Sequence, residues 1–474
     1  MERSFIARSL AELPDGVRAE YSCKAADNSE LEVAFAAIDA FVGRLSEYHR
    51  HRAPSSRNAT AVPRKSSIPM AAPRQQLTSK AFAEFFAGIG LVHEALRHSG
   101  WRCVYANDID LKKESMYKGH FGDAQYFHRE DVWATERVVE EIEEPPFLAT
   151  ASFPCTDLSL AGNWRGIRGK HSSTYFGFIC VLEELGRRAP KVVMLENVLG
   201  FLSSNGGIDF RRAVTALSEL GYWIDCFILD AKSFVPQSRP RVFVLGFHDS
   251  LCSEILMRQG VGGFFGDEWQ SAIDAGGALR PLSLLKLIAG TKLPTGWTTL
   301  ALRPPKQRRY SLAAFIDTDS GQDWWECDAT TKHWRMLSPL HRREVERRME
   351  DGGTHVGTVF RRCRNDEMRA EVRFDNLAGC LRTPRGGSAR QIVMLISGGK
   401  VKFRWMTPIE YARLQGAPEF QLAANTIQSL FGFGDGVCVP VIRWIDQNIL
   451  SPVFDEFVGV TGLVGARGVK KRSA

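Results

Sequence analysis

Ten cysteines are spread over 474 residues without a single CxxC pair, so neither a disulfide framework nor a structural zinc site is indicated. Reduced thiols are the expectation, and any one of them can be reactive. No apolar run approaches the roughly 20 residues that a membrane-spanning helix needs. The opening MERSFIARSLAELPDG has no long apolar core and no small-residue cleavage site, which argues against a secretory leader. A cytoplasmic protein is expected. No internal repeat is found, which sets aside solenoids and propellers. The formal charge of +7 is modest for this length and does not by itself imply nucleic acid. What is present is ordinary for a globular protein, 44% hydrophobic and 24% charged residues. The length exceeds one compact core and allows two or three domains.

Residues 1–50 form an N-terminal extension. Ser29 and Glu32 read as a capping box, followed by Leu31, Phe35, Ile38, Val42 and Leu45 on one helical face. Such a helix docks on the main body, self-associates or belongs to a regulatory DNA-binding arm. Residues 51–79 are rich in Pro, Ser, Ala and Arg without periodicity, a flexible basic linker. From 80 to 250 the pattern alternates. Short apolar strands are expected at 81–86, 103–106, 148–151, 192–195, 223–229 and 242–247, with helices at 91–98, 176–188 and 210–220. That alternation predicts an α/β, doubly wound, Rossmann-like sheet. Between 251 and 390 it fades into a smaller basic domain, with Arg303, Arg335, Arg342, Arg343, Arg347, Arg348, Arg361, Arg362 and Arg364 among Trp324, Trp325 and Trp334. Residues 391–450 return to helix and loop and complete the α/β domain, and 451–474 form a tail.

Four motifs carry chemistry. FFAGIG at 85–90 is a strand-to-helix turn whose glycines let a ligand approach the backbone. His93 stands where a dinucleotide fold would want a third glycine, while Asp108 follows at the distance from which an acid binds ribose hydroxyls. The combination favours an adenosine-type cofactor, although an ordinary tight turn gives the same short pattern. SFPCTDLSLAG at 152–162 places Cys155 on a loop after a strand, where a thiol suits nucleophilic attack once its pKa falls; a buried bystander cysteine is the alternative. MLENV at 194–198 puts Glu196 and Asn197 at the end of an apolar strand, where a carboxylate needs a partner. PQSRPRVFVLG at 236–246 sets Gln237, Arg239 and Arg241 at alternate positions, hence on one face. That face suits a phosphate or base edge, or is a solvated edge strand.

In this order the motifs resemble the cytosine-5 DNA methyltransferase family of the bacterial restriction–modification type. Asp131-Val132, Ser173-Thr174-Tyr175, CLRTPRGGSARQIV, WMTPIEYARLQGAP and GFGDGVCVP extend the likeness over about 80–250 and 375–450. Three departures stand out. Asp435 and Gly436 replace the usual Asn and Ser, Leu91 stands where a further glycine is common, and Asp108 replaces a frequent glutamate.

The resemblance implies S-adenosylmethionine as cofactor, held by Phe86, Gly88, Ile89, Gly90, Asp108, Ile109, Asp131, Val132, Pro154, Asp435, Gly436 and Val437. It implies Cys155 as nucleophile at cytosine carbon 6, with Glu196 at ring N3 and Arg241 at ring O2. Arg239 and Ser159 would hold phosphate or the loop around the thiol. The target base must be flipped out of double-stranded DNA. The arginine-rich middle would read the duplex, with Ser159, Gln237, Arg382, Arg385 and Arg390 as DNA contacts. Expected partners are duplex DNA and, functionally but not physically, a cognate restriction endonuclease. The protein is expected to act as a monomer on DNA, with no metal and no membrane. An RNA cytosine-5 methyltransferase on the same scaffold is the nearest alternative. A DNA-binding regulator using the N-terminal arm is a second, and a nicotinamide dehydrogenase is disfavoured by His93 and the cysteine loop.

Overall fold

A computed structural model describes residues 79–154, 174–251, 277–307, 310–319, 321–364, 367–384 and 389–459. The expected N-terminal helix, Cys155, Ser159, Ser173 and Arg385 lie outside the described residues. No described helix is long and apolar enough to cross a membrane.

Strands β1 (Ala81–Phe85), β2 (Arg102–Asn107), β3 (Phe127–His128), β4 (Leu148–Ala151), β5 (Val192–Val198), β6 (Tyr222–Asp230) and β7 (Pro240–His248) form one sheet in the order β3-β2-β1-β4-β5-β7-β6. The chain crosses between them through α1 (Leu91–Leu96), α2 (Leu111–Phe121), α3 (Thr135–Glu141), α4 (Thr174–Leu185) and α5 (Ile208–Glu219). β1 and β4 are buried at every position, the all-apolar signature of parallel strands covered on both faces. β7 pairs antiparallel with both β5 and β6, so the sheet is parallel except for one inserted strand. The expected α/β doubly wound fold is present. The two-residue β3 carries too little pattern to be seen in sequence.

The strand order reverses between β1 and β4. In such sheets ligands sit outside the carboxyl ends of the strands at the reversal. The turn after Phe85 and the Ser152–Phe153–Pro154 segment after Ala151 lie at those ends, and the adjacent strands bring Asp108 and Glu196 to the same edge.

A second sheet is wholly antiparallel, ordered β11-β10-β8-β9 from β8 (His355–Arg364), β9 (Glu367–Arg373), β10 (Ile392–Ser397) and β11 (Lys400–Trp405). Gly398 and Gly399 adopt φ of 53° and 71° between Ser397 and Lys400, the two positive angles a tight two-residue hairpin requires. Helices α6 (Leu282–Ala289), α7 (Cys327–Arg335) and α8 (Pro339–Glu350) belong to the same stretch. Ser338 caps α8 and Pro339 occupies its first turn, the expected chemistry of a helix start. Arg280 binds the Asp225 carboxylate of β6 at 2.7 Å, and both are buried. This pair ties the start of the middle segment to the main sheet.

The chain then returns through α9 (Pro408–Leu414), α10 (Thr426–Asp435) and α11 (Val439–Ile445). Thr407 and Glu410 form a full capping box at α9.

Candidate active site

The turn after β1 is held in an unusual backbone shape. Phe86, Gly88 and Gly90 have φ of 54°, 59° and 86°, a region that a residue with a side chain seldom enters. Side chains at the end of β2 fix it. Asn107 Oδ1 accepts from Phe86 N at 3.2 Å, and Asp108 Oδ2 accepts from Gly88 N at 3.0 Å. A Cβ on Gly88 would meet nothing within 4 Å, whereas one on Gly90 would run into the Tyr117 and Phe121 rings at 2.5–2.8 Å. Gly88 therefore faces open space, and Gly90 lets α1 close on α2.

Of the residues expected around a cofactor, Ile109 is 68% exposed beside Asp108, while Ile89, Val132 and Val437 put their side chains into the core. Those three can offer a ligand only backbone. Asp131 is exposed, and its carboxylate accepts from Trp133 N. Pro154 is half-buried, following Phe153, whose carbonyl accepts from Asn197 Nδ2.

Asp108 and Asp435 are joined by a residue not singled out in the sequence. Lys113 Nζ lies 3.8 Å from Asp108 and 3.3 Å from Asp435. Burial works against the Lys113 charge, but these two carboxylates outweigh it and hold its pKa above the ordinary lysine value. The Asp found at 435 thus has a cationic partner.

The departure at 436 also has a partner. A Cβ on Gly436 would lie 2.5 Å from Leu91 Cδ1, and Leu91 is itself 2% exposed. Leucine at 91 and glycine at 436 are two halves of one packing solution. Gly436→Ser should therefore cost about 1–3 kcal/mol by overpacking. Combining it with Leu91→Ala should cost less than the sum of the single changes, and denaturant unfolding of the four proteins measures that coupling. Strict additivity would dissolve the pairing.

Glu196 and Arg241 meet because β5 and β7 are antiparallel neighbours, with Val198 opposite Arg241. Arg241 Nε lies 2.9 Å from Glu196 Oε1, and both side chains are largely buried. A carboxylate with a charged partner and a residual opening can face a polar ring edge.

Gln237, expected as a DNA contact, and Arg239, expected to hold phosphate or the loop around the thiol, are both enclosed by protein. Arg239 is 3% exposed, with its guanidinium donating to the carbonyls of Leu381 at 2.8 Å and Gly436 at 2.7 Å. Gln237 is wholly buried, bonded to Leu414 O and Leu381 N. Burial keeps the donors of both from a phosphate. Arg239 instead clamps the irregular segment at Cys380–Leu381 to the end of α10. Arg390 is half-buried with its guanidinium 5.1 Å from the Trp405 ring centre, whereas Arg382 is exposed.

A thiol lies beside Arg239 and Arg241. Cys380 Sγ lies 3.3 Å from Arg239 Nη1 and 3.9 Å from Arg241 Nη2. Burial pushes the thiol up, but the two guanidiniums outweigh it and hold it below the ordinary range. The sequence gives no hint of surroundings of this kind at Cys380. Only the fold brings position 380 to β7.

The glycine turn, Asp108 and the Glu196–Arg241 pair therefore collect at one edge of the sheet. A family model for C-5 cytosine-specific DNA methylase matches residues 81–451. The chain is 33% identical over 375 residues to the Type II methyltransferase M.HpaII of Haemophilus parainfluenzae, covering 78% of this chain and 89% of that one. It is 28% identical over 372 residues to the Type II methyltransferase M.DsaV of Dactylococcopsis salina, covering 78% and 86%. In structure it is similar to the S. pombe Dnmt2 methyltransferase, with a TM-score of 0.48 and 16% identity over 79% of this chain and 98% of that one.

Proposed function

The chain belongs to the C-5 cytosine-specific DNA methylase family, and from that premise we propose that it methylates carbon 5 of a cytosine flipped out of a specific duplex DNA site, using S-adenosylmethionine. The observation that carries this reading is the Glu196–Arg241 pair at 2.9 Å, set at the same sheet edge as the glycine turn. A type II restriction–modification role fits its relatives, with a cognate endonuclease as functional partner. The protein would act as a cytoplasmic monomer on nucleoid DNA.

The open space over Gly88, the exposed apolar Ile109 and the neighbouring Asp108 suit an adenosine-type group. Phe86, Gly88, Ile89, Gly90, Asp108, Ile109, Asp131, Val132, Pro154, Asp435, Gly436 and Val437 would hold it. When bound, S-adenosylmethionine supplies an electrophilic methyl group on a sulfonium sulfur.

Carbon 5 of cytosine is a poor nucleophile until its ring is activated. The Cys155 thiolate forms a bond to carbon 6, and the electron pair of the 5,6 double bond moves toward carbon 5 and N3. Glu196 provides the hydrogen bond or proton at N3 that stabilises that charge. Arg241, oriented by Glu196, donates to ring O2 and fixes which edge of the base enters. After methylation the carbon 5 proton leaves to water, the double bond re-forms, and the Cys155 thiolate departs. Arg239 acts indirectly, by holding the segment that carries Cys380 against β7.

Sequence specificity would reside between about 250 and 390, where exposed arginines of α8 and β8 contact phosphates and a few side chains read base edges. Methyl transfer to genomic duplex DNA and to tRNA, each followed by bisulfite sequencing, tests the reading. The expected result is methylation of duplex DNA at one sequence context with tRNA at background. Preferential modification of tRNA would replace the DNA substrate with RNA on the same chemistry.

A further inference from the structure

Three side chains that no step above uses converge beneath the glycine turn. They are Glu84 of β1, His93 of α1 and Cys103 of β2, each with a ligand-type atom within 4.8 Å of those of the other two. Their exposures are 2%, 8% and 5%. The Glu84 carboxyl accepts from the backbone N–H groups of Val92 and His93, while its Oε2 is fully enclosed and has no hydrogen-bond partner. Leaving a buried carboxyl oxygen unpaired is costly, and native interiors seldom do so without a water, an ion or a function at the site.

We propose that Glu84, His93 and Cys103 bind a divalent cation of the zinc class, which fixes the base of the turn at 86–90. The donor set decides the class. One carboxylate oxygen, one imidazole nitrogen and one thiolate sulfur form the mixed set that suits zinc, whereas magnesium and calcium prefer oxygen alone. Charge balance also fits. The cation binds as the thiol and carboxyl protons pass to solvent and neutral imidazole donates its lone pair, so a dication meets two negative ligands and the core gains no net charge. Tyr117 supplies the outer partner that metal-binding histidines commonly have. Its hydroxyl is 2.9 Å from His93 Nδ1 and 3.7 Å from Cys103 Sγ.

The position gives such an ion a purpose. Glu84 stands two residues before Phe86, and His93 three after Gly90. Joining them to β2 through Cys103 would brace both ends of the turn against the strand that ends at Asn107 and leads into Asp108. The ligands come from three elements with no paired cysteines, so the spacing rules for zinc motifs do not reveal them.

The test uses the full chain purified from zinc-supplemented cells without chelator. Metal analysis after gel filtration should find about one zinc per chain. The protein stripped of zinc and titrated with Co²⁺ should develop tetrahedral d–d bands and a thiolate-to-cobalt charge-transfer band. The charge-transfer band should vanish in Cys103→Ser and both bands should weaken in His93→Gln, and the second variant decides the matter where the first fails to fold. A wild-type chain that carries no metal and gives no cobalt bands would leave Glu84 as a neutral buried acid and overturn the proposal. A thiolate-to-cobalt charge-transfer band that survives Cys103→Ser would overturn it equally, since the thiolate would then come from another of the ten cysteines.

Discussion

Glu196→Gln is expected to slow methyl transfer by about 10²- to 10⁴-fold, the range a positioned proton donor or acceptor contributes. The substitution is nearly isosteric. Its amide oxygen can still accept from Arg241 Nε, which lies 2.9 Å from Glu196 Oε1 in the wild type, so Arg241 keeps its orientation. The amide cannot carry a proton to ring N3, and the charge pushed into the ring by attack at carbon 6 loses its sink. The loss should therefore appear in kcat under single-turnover conditions, with DNA binding little changed. Thermal unfolding controls for damage to the partly buried ion pair, because removing one partner of such a pair also destabilises. A variant that turns over near the wild-type rate would remove Glu196 from the chemistry.

Some of this site was legible before any coordinates. The central sheet follows from the switch between strand and helix periodicity, and β4 falls at the expected 148–151. The turn at 85–90 and the acid at 108 follow from glycine and spacing rules, and the structure places them hydrogen-bonded to each other. Glu196 and Arg241 were each visible as a charge entering or leaving an apolar strand. Their pairing was not, because it depends on β7 inserting antiparallel beside β5.

Other features failed for identifiable reasons. Alternate spacing says that Gln237, Arg239 and Arg241 share a face, but not whether water or protein covers it. Here backbone carbonyls from α9, α10 and the 380s segment cover most of it. Composition likewise marks the middle stretch as basic without separating DNA-facing arginines from those stacked on aromatic rings. Arg361 and Arg390 both lie over Trp405, at 4.9 and 5.1 Å from its ring centre, where the ring's quadrupole attracts them. The second sheet went unread because β8 and β9 are rich in arginine and glutamate, which obscures the period-two pattern. Lys113, Cys380 and the Glu84–His93–Cys103 cluster are tertiary features throughout.

The largest effect of all is expected at Cys155. If its thiolate bonds to carbon 6, the adduct resolves only when the proton on carbon 5 is removed. Fluorine in place of that hydrogen blocks the step, because fluorine cannot leave as a cation. Serine at 155 should abolish adduct formation and nearly all turnover, since a hydroxyl is far less ionised than a thiol near neutral pH. Cys380 supplies an internal control, being a second thiol near Arg241. Cys380→Ser should still form the adduct, which separates the nucleophile from a neighbour that only contacts the arginines. The decisive measurement is denaturing electrophoresis of enzyme, S-adenosylmethionine and duplex DNA carrying 5-fluorocytosine in the target site. A denaturation-resistant protein–DNA complex with wild type and none with Cys155→Ser is the predicted result, and a Cys155→Ser protein that still traps DNA, or a wild type that methylates without ever trapping, would contradict it.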